Sequence, residues 1–286
     1  MLNWDTEREE MAMEFTKLQA TGNDFILIDA RRLEQDWAEM ARAMCNRHYG
    51  VGADGLLLVL KSEIADFRMR IFNHDGSEAE VCGNGLRCFA RYIIEYGLAD
   101  KHELTIETIA GIRKIESCAN DRLQVSMGIP KFRPEDIPVS VDIDDITPIL
   151  DYPINIRGRR LPLSFVSIGN PHAVCFIEEP VVDFPLSEFG PIIEHHPIFP
   201  KRTNFEIVNV LSRREIKSRV WERGVGETLA CGSGACAVAI EARLHDYVDS
   251  PVEIALPGGT LGIEWDGKEE VYLCGDAKFV FKGEWL

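Results

Sequence analysis

Cys82-Gly83-Asn84-Gly85-Leu86-Arg87-Cys88 and Cys231-Gly232-Ser233-Gly234-Ala235-Cys236 share a C-G-x-G tetrapeptide 149 residues apart, and each runs into a small-residue, apolar stretch. Three further landmarks repeat in the same order. Gly22-Asn23-Asp24-Phe25 is matched by Gly169-Asn170-Pro171-His172 at an offset of 147, and Ile71-Phe72-Asn73 by Val220-Trp221-Glu222 at 149. The run 104–107 leading to Gly111 is matched by 252–255 leading to Gly259, at 148. Four ordered matches with nearly equal offsets indicate two structurally equivalent halves, and a repeat of this kind constrains every later assignment. Two domains are therefore expected, residues 15–145 around Cys82 and residues 147–286 around Cys231, with a linker near 138–153.

Within each half, short β-branched and apolar runs read as strands: 25–28, 55–60, 67–71 and 123–127, then 173–177, 205–210, 217–221 and 271–274. Helices are expected at 35–44, 85–96 and 234–245. The last two follow the glycine-rich turns and are apolar on most faces, the mark of a buried helix. The expected fold is α/β (α+β): two pseudo-symmetric domains, each a curved, mostly antiparallel sheet wrapped around a central helix, with the active site in the interdomain cleft.

The chain of 286 residues has a globular composition, 45% hydrophobic and 27% charged, and a formal net charge of -16. That charge argues against nucleic-acid and anionic-membrane partners, both of which are bound through clustered Lys and Arg. No run approaches the roughly 18 apolar residues of a membrane span, and the acidic start lacks the apolar core of a signal peptide, so a cytoplasmic location is expected. Eight cysteines in a chain this long do not make a disulfide framework and are expected to be thiols. No C-x-x-C pair occurs, so no metal site is expected.

Cys45, Cys118, Cys175 and Cys274 lie outside any repeated motif and read as small buried hydrophobes. Through the repeat, Cys88 aligns with Ala237 and Cys236 with Arg87, so neither position demands sulfur. Cys82 and Cys231 alone are paired. A thiol just before a helix feels the positive end of the helix dipole and unpaired backbone N–H groups, which favour the thiolate and lower the pKa. The flanking glycines let the backbone approach a ligand, and the same N–H groups form a natural carboxylate site. Two such thiols on opposite walls of a cleft suit inversion of a carbon stereocentre, one removing a proton from one face while the other delivers a proton to the opposite face.

At these residues the sequence resembles the diaminopimelate epimerase family, from Phe15 onward. Carrying the resemblance are residues 21–25 (TGNDF), 50–55 (GVGADG), 72–77 (FNHDGS) before CGNGLRC, 169–172 (GNPH), and 222–228 (ERGVGET) before ACGSG. The resemblance implies interconversion of LL- and meso-diaminopimelate, towards lysine and peptidoglycan precursors, with no cofactor and no metal. Cys82 and Cys231 would be the acid/base pair. Asn23, Asn73, Asn170, Asn204, Glu222 and Arg223 would line the substrate site, and the backbone at Gly83, Asn84, Gly232 and Ser233 would hold a carboxylate. His172 and Glu222 would modulate the thiol pKa values. Gly55 stands where certain members have glutamine, so a side-chain contact is missing there. Expected partners are a small amino-acid substrate and, as an open alternative, a second copy of the chain.

Three rivals stand beside this assignment. Proline-racemase-like enzymes typically carry C-G-H-G at the first cysteine, where this chain has Asn84. A binding protein that closes over an amino acid without chemistry needs no cysteines. Isomerases of the phenazine-biosynthesis type share the expected fold but typically lack the cysteine pair.

Overall fold

The computed structural model describes residues 12–80, 82–101, 103–141 and 147–286. The first eleven residues of the acidic start, and residues 142–146 of the expected linker, lie outside that set. The chain divides into two compact units, one running through Val125 and including Asp276–Leu286, the other Ser126–Gly275.

The first unit contains strands β1 Met13–Ala20, β2 Asn23–Asp29, β3 Gly55–Leu60, β4 Phe67–Asn73, β5 Glu78–Ala79, β6 Glu103–Thr108, β7 Gly111–Cys118, the start of β8 Arg122–Gly128, and β18 Lys278–Trp285. Its helices are α1 Trp37–Cys45 and α2 Gly83–Glu95. Pairing gives the order β18-β1-β2-β3-β4-β6-β7-β8, with β5 also on β4. All neighbours are antiparallel except β2/β3 and β4/β6.

The second unit contains β9 Ile149–Ile156, β10 Arg159–Ser167, β11 Pro171–Phe176, β12 Asn204–Ser212, β13 Glu215–Glu222, β14 Gly226–Thr228, β15 Val252–Leu256, β16 Gly259–Glu264 and β17 Val271–Gly275. Its helices are α3 Leu186–Glu194 and α4 Gly232–Leu244. The order is β9-β10-β11-β12-β13-β15-β16-β17, with β14 also on β13, and the parallel pairs are β11/β12 and β13/β15. Strand for strand this repeats the first sheet. The sequence repeat is thus a topological one.

The same sandwich is built twice, from the period-two alternation of side chains along a strand. On β2 and β3, Ile26, Ile28, Leu56 and Leu58 pack with Trp37, Ala41 and Met44 of α1. The opposite face meets α2, which touches β1 through β4 and β7, so the sheet curves around it. On β11 and β12, Ala173, Cys175, Phe205 and Ile207 pack with Leu186, Phe189 and Ile193 of α3, while Val174 and Val208 pack with α4. Strands covered on both faces read as unbroken apolar runs, as in Gly55-Leu56-Leu57-Leu58-Val59-Leu60. Each such buried Leu or Phe contributes roughly 1.5–3 kcal/mol.

Three expectations are corrected. α2 and α4 begin at Gly83 and Gly232, two residues before the expected starts, because the cysteines themselves are the N-caps. α3 was not expected at all: Gly190 and Pro191 lie inside it, and both normally argue against a helix. The glycine is sterically required, since a Cβ there would meet the Trp221 ring at 2.4 Å. Finally, Cys118 and Cys274 are disulfide-bonded rather than thiols, whereas Cys45, Cys82, Cys88, Cys175, Cys231 and Cys236 are thiols. Neither residue lies in a repeated motif, so the sequence carries no signal for this.

The unit boundaries also differ from the expected single break between 145 and 147. In the first sheet the outer neighbour of β1 is β18, from the far end of the chain, whereas the outer neighbour of β10 is the adjacent β9. Equal offsets between landmarks do not show that one strand returns from the C-terminus.

Candidate active site

In the first unit the site is assembled at the N-terminus of α2. Cys82 is extended (φ -143, ψ 119) and its sulfur accepts the Gly85 N–H at 3.4 Å, a cap on the first helical turn. Its thiol faces Asn23 Oδ1 at 3.8 Å. That oxygen also accepts from Asn84 Nδ2 at 3.2 Å, while Asn23 Nδ2 donates to Asp54 Oδ2 at 2.7 Å. Asn84 Oδ1 in turn accepts from Arg87 Nη2 at 2.8 Å. A guanidinium can only donate and a carboxylate only accept, so Arg87 at one end and Asp54 at the other fix both amides in one direction. An acceptor oxygen is thereby held toward Cys82.

Arg87 is fully buried, and it also donates to Thr21 Oγ1 at 2.8 Å and to the Asp276 carbonyl at 3.2 Å. Asp54 and Asp24 share Arg47, and Asp24 pairs with Lys17 at 2.7 Å. Burial raises the Asp24 carboxyl, but Arg47 and Lys17 outweigh it and hold the group at about 2. Asn73, at the end of β4, donates to Ser77 Oγ at 2.9 Å and is not joined to the Asn23–Asn84 relay by that bond.

In the second unit Cys231 caps α4 with nearly the same geometry (φ -118, ψ 118), accepting the Gly234 N–H at 3.3 Å. Ser233 Oγ lies 3.5 Å from the sulfur. A Cβ on Gly234 would stand 3.3 Å from that sulfur and 2.8 Å from Glu206 Oε1, so the turn admits no larger residue without displacement. Glu222, at the end of β13, accepts from Thr228 Oγ1 at 2.5 Å and hydrogen-bonds Cys231. His172 acts electrostatically on Glu222, and its Nε2 lies 3.0 Å from Asn170 Oδ1. Asn204 spends its amide on the backbone: Nδ2 donates to the Pro171 carbonyl at 2.8 Å and Oδ1 accepts from the Arg223 N–H at 2.9 Å. The exposed Arg223 guanidinium donates to the Lys201 carbonyl at 3.3 Å.

Glu206 is the residue that sequence reasoning missed. It is 1% exposed on β12, with Oε1 at 2.7 Å from His172 Nδ1 and Oε2 without a hydrogen-bond partner among the described residues. Its signal is present in the sequence, since a Glu among the apolar residues 205–208 of the expected strand 205–210 is a buried charge needing a reason.

The electrostatics overturn one expectation. The helix N-terminus was expected to lower the cysteine pKa, yet Cys231 is pushed well above the usual thiol range, first by burial and then by Glu222 and Glu206. The Ser233 and Gly234 hydrogen bonds oppose that shift without reversing it. Burial likewise raises Glu222, against Thr228, Cys231 and His172. These influences favour the thiol form of Cys231, suited to giving a proton. Cys45 and Cys175, pushed up to about 12 by burial, are inert. Among the described residues no cluster of three or more His, Cys, Asp or Glu could hold a metal, and no helix is long and apolar enough to cross a membrane.

Comparison with known proteins follows the same lines. The family model described as diaminopimelate epimerase matches residues 15–133 and 164–280. The chain is 47% identical over 279 residues to a diaminopimelate epimerase of Moorella thermoacetica, covering 95% of this chain and 99% of that one. It is 45% identical over 278 residues to one of Carboxydothermus hydrogenoformans, covering 96% and 100%. Among solved structures, a phenazine biosynthesis protein of the PhzF family from Bacillus anthracis superposes with a TM-score of 0.70 at 21% identity, covering 96% of this chain and 99% of that one. A hydroxyproline epimerase from Agrobacterium vitis superposes with a TM-score of 0.68 at 14% identity, covering 96% and 92%. At those identities the two structures speak for the fold alone. The curated relatives and the family model speak for more: the chain belongs to the diaminopimelate epimerase family.

Proposed function

We propose that this chain is an epimerase interconverting LL- and meso-diaminopimelate by two-base proton transfer between Cys82 and Cys231 at one α-carbon. The observation that carries the proposal is the duplicated cap: each unit presents one cysteine thiol at the N-terminus of its central helix, in nearly identical backbone geometry. Family membership supplies the substrate.

In one direction Cys82, as thiolate, takes the α-proton, and the electron pair left on Cα takes the proton of the Cys231 thiol on the opposite face. The new Cys231 thiolate is received by the Gly234 N–H and the Ser233 hydroxyl. In the other direction the Cys231 thiolate takes the α-proton and the Cys82 thiol delivers its own to the opposite face; burial and two carboxylates disfavour that thiolate, and the substrate's α-ammonium supplies compensating charge. The N–H groups at Gly83, Asn84, Gly232 and Ser233 stabilise the α-carboxylate as it gains enolate-like charge. Asn23, Asn73, Asn170, Glu222 and Arg223 are the proposed contacts to the remainder of the substrate, and His172 with Glu222 sets the charge around Cys231. Asn204 enters this scheme through the Arg223 backbone it holds. The direct test is incubation with LL-diaminopimelate followed by chiral analysis. Appearance of the meso form without added cofactor supports the proposal, and recovery of unchanged LL substrate sinks it.

Arg223 offers a planar fork to a carboxylate that a lysine cannot reproduce. Arg223→Lys should raise KM for diaminopimelate by about tenfold or more. A variant equal to the parent in both kcat and KM would remove Arg223 from the binding site.

A further inference from the structure

We infer that Glu194 is a positioning residue for substrate recognition, acting through the turn that carries Glu222 and Arg223. Glu194 is the last residue of α3 and is 4% exposed. Its two carboxylate oxygens grip the turn on either side of those residues: Oε2 accepts from Trp221 Nε1 at 2.8 Å, and Oε1 accepts from the Gly224 N–H at 2.9 Å. Arg202 Nη1 lies 3.6 Å from Oε1 and offsets part of the buried charge. The residue between, Arg223, is held from another side by Asn204 at its own N–H.

A turn held at two consecutive backbone N–H groups, those of Arg223 and Gly224, and at the Trp221 indole is preorganised, so the base of the Arg223 side chain loses little freedom when a carboxylate arrives. The packing agrees with this role. Gly190 of α3 lies flat against the Trp221 ring, where a Cβ would stand 2.4 Å away, so helix and indole are fitted to each other while the carboxylate reaches past them to Gly224. Gly224 itself has φ 78, a left-handed conformation that a free chain would leave readily. No atom of Glu194 need touch substrate.

This inference rests on the proposed epimerisation, and the parent enzyme separates the two: if the parent fails to turn over LL-diaminopimelate, the proposed function falls, whatever Glu194 does. Glu194→Gln keeps the shape but has a single acceptor oxygen, so one arm of the grip is lost. With an active parent, Glu194→Gln should raise KM by roughly tenfold while kcat stays within about threefold. A purely structural role predicts the reverse, a smaller active fraction with lower apparent kcat and unchanged KM. The effect should also be non-additive with Arg223→Lys, because the two act on one contact. If Glu194→Gln does not fold, Trp221→Phe removes the other partner's donor and is read in the same way. Unchanged KM in the folded variant, or KM effects that multiply fully with Arg223→Lys, would overturn the inference.

Discussion

Cys82→Ser and Cys231→Ser should each lose at least ~10³-fold in epimerisation rate while keeping the parent's thermal stability. The choice of serine follows from the structure. Each sulfur accepts a backbone N–H from the first helical turn, Gly85 for Cys82 and Gly234 for Cys231, so each cysteine is an N-cap as well as a proposed catalyst. Alanine removes both roles and should cost an additional 0.5–2 kcal/mol or about that in stability. Serine preserves the cap and removes only the acidic thiol, since a hydroxyl is far too weak an acid to replace it. Comparing melting temperature and turnover across the four variants separates the roles. Each variant keeps one thiol, so slow exchange of one epimer's α-proton without inversion is compatible with the mechanism. Inversion by either serine variant at near-parental rate would sink it.

The capping geometry also explains what the sequence could and could not reveal. C-G-x-G is legible because the chemistry, the backbone and the repeat all constrain the same four positions, and the same holds for the strands, whose double burial leaves unbroken apolar runs such as 55–60. α3 was illegible because its Gly190 answers to a tertiary partner, the Trp221 ring, that local pattern does not contain. β18 was misplaced with the second half for a related reason: its pairing with β1 is long-range, and no local feature records it. Among the expected site residues, the repeated motifs mark Cys82 and Cys231, which cap the two central helices, whereas Glu206 carries no such mark because it lies inside a strand that reads as core. The sign of the Cys231 shift was missed for the same cause. Helix N–H groups are visible in the sequence, but burial and two neighbouring carboxylates belong to the fold, and they outweigh the cap.

That balance gives the two cysteines different settings despite their common backbone geometry. Cys231 stands among Glu222, Glu206 and His172, groups that can carry charge. Cys82 faces a neutral amide oxygen whose direction is fixed by the Arg87–Asn84–Asn23–Asp54 relay. Pseudo-symmetry therefore extends to the placement of each sulfur on its helix and not to its surroundings.

Solvent labelling reads both features in one experiment. In deuterated water the free thiols exchange before turnover, so the opposite thiol delivers deuterium to Cα while the base removes protium. Product formed early from LL-diaminopimelate should carry one deuterium, at the newly formed D centre, and recovered substrate should remain largely unlabelled. A single base working from one face would return its own proton and leave product with substoichiometric label. The distal L centre should stay protiated, because the proposed contacts from Arg223 and the asparagines hold that end away from either sulfur. Mass spectrometry gives the count of label, and chiral separation with NMR gives its position. Label-free product, label at the distal centre, or substrate exchange that outruns inversion would each contradict the placement of Cys82 and Cys231 on opposite faces of one carbon.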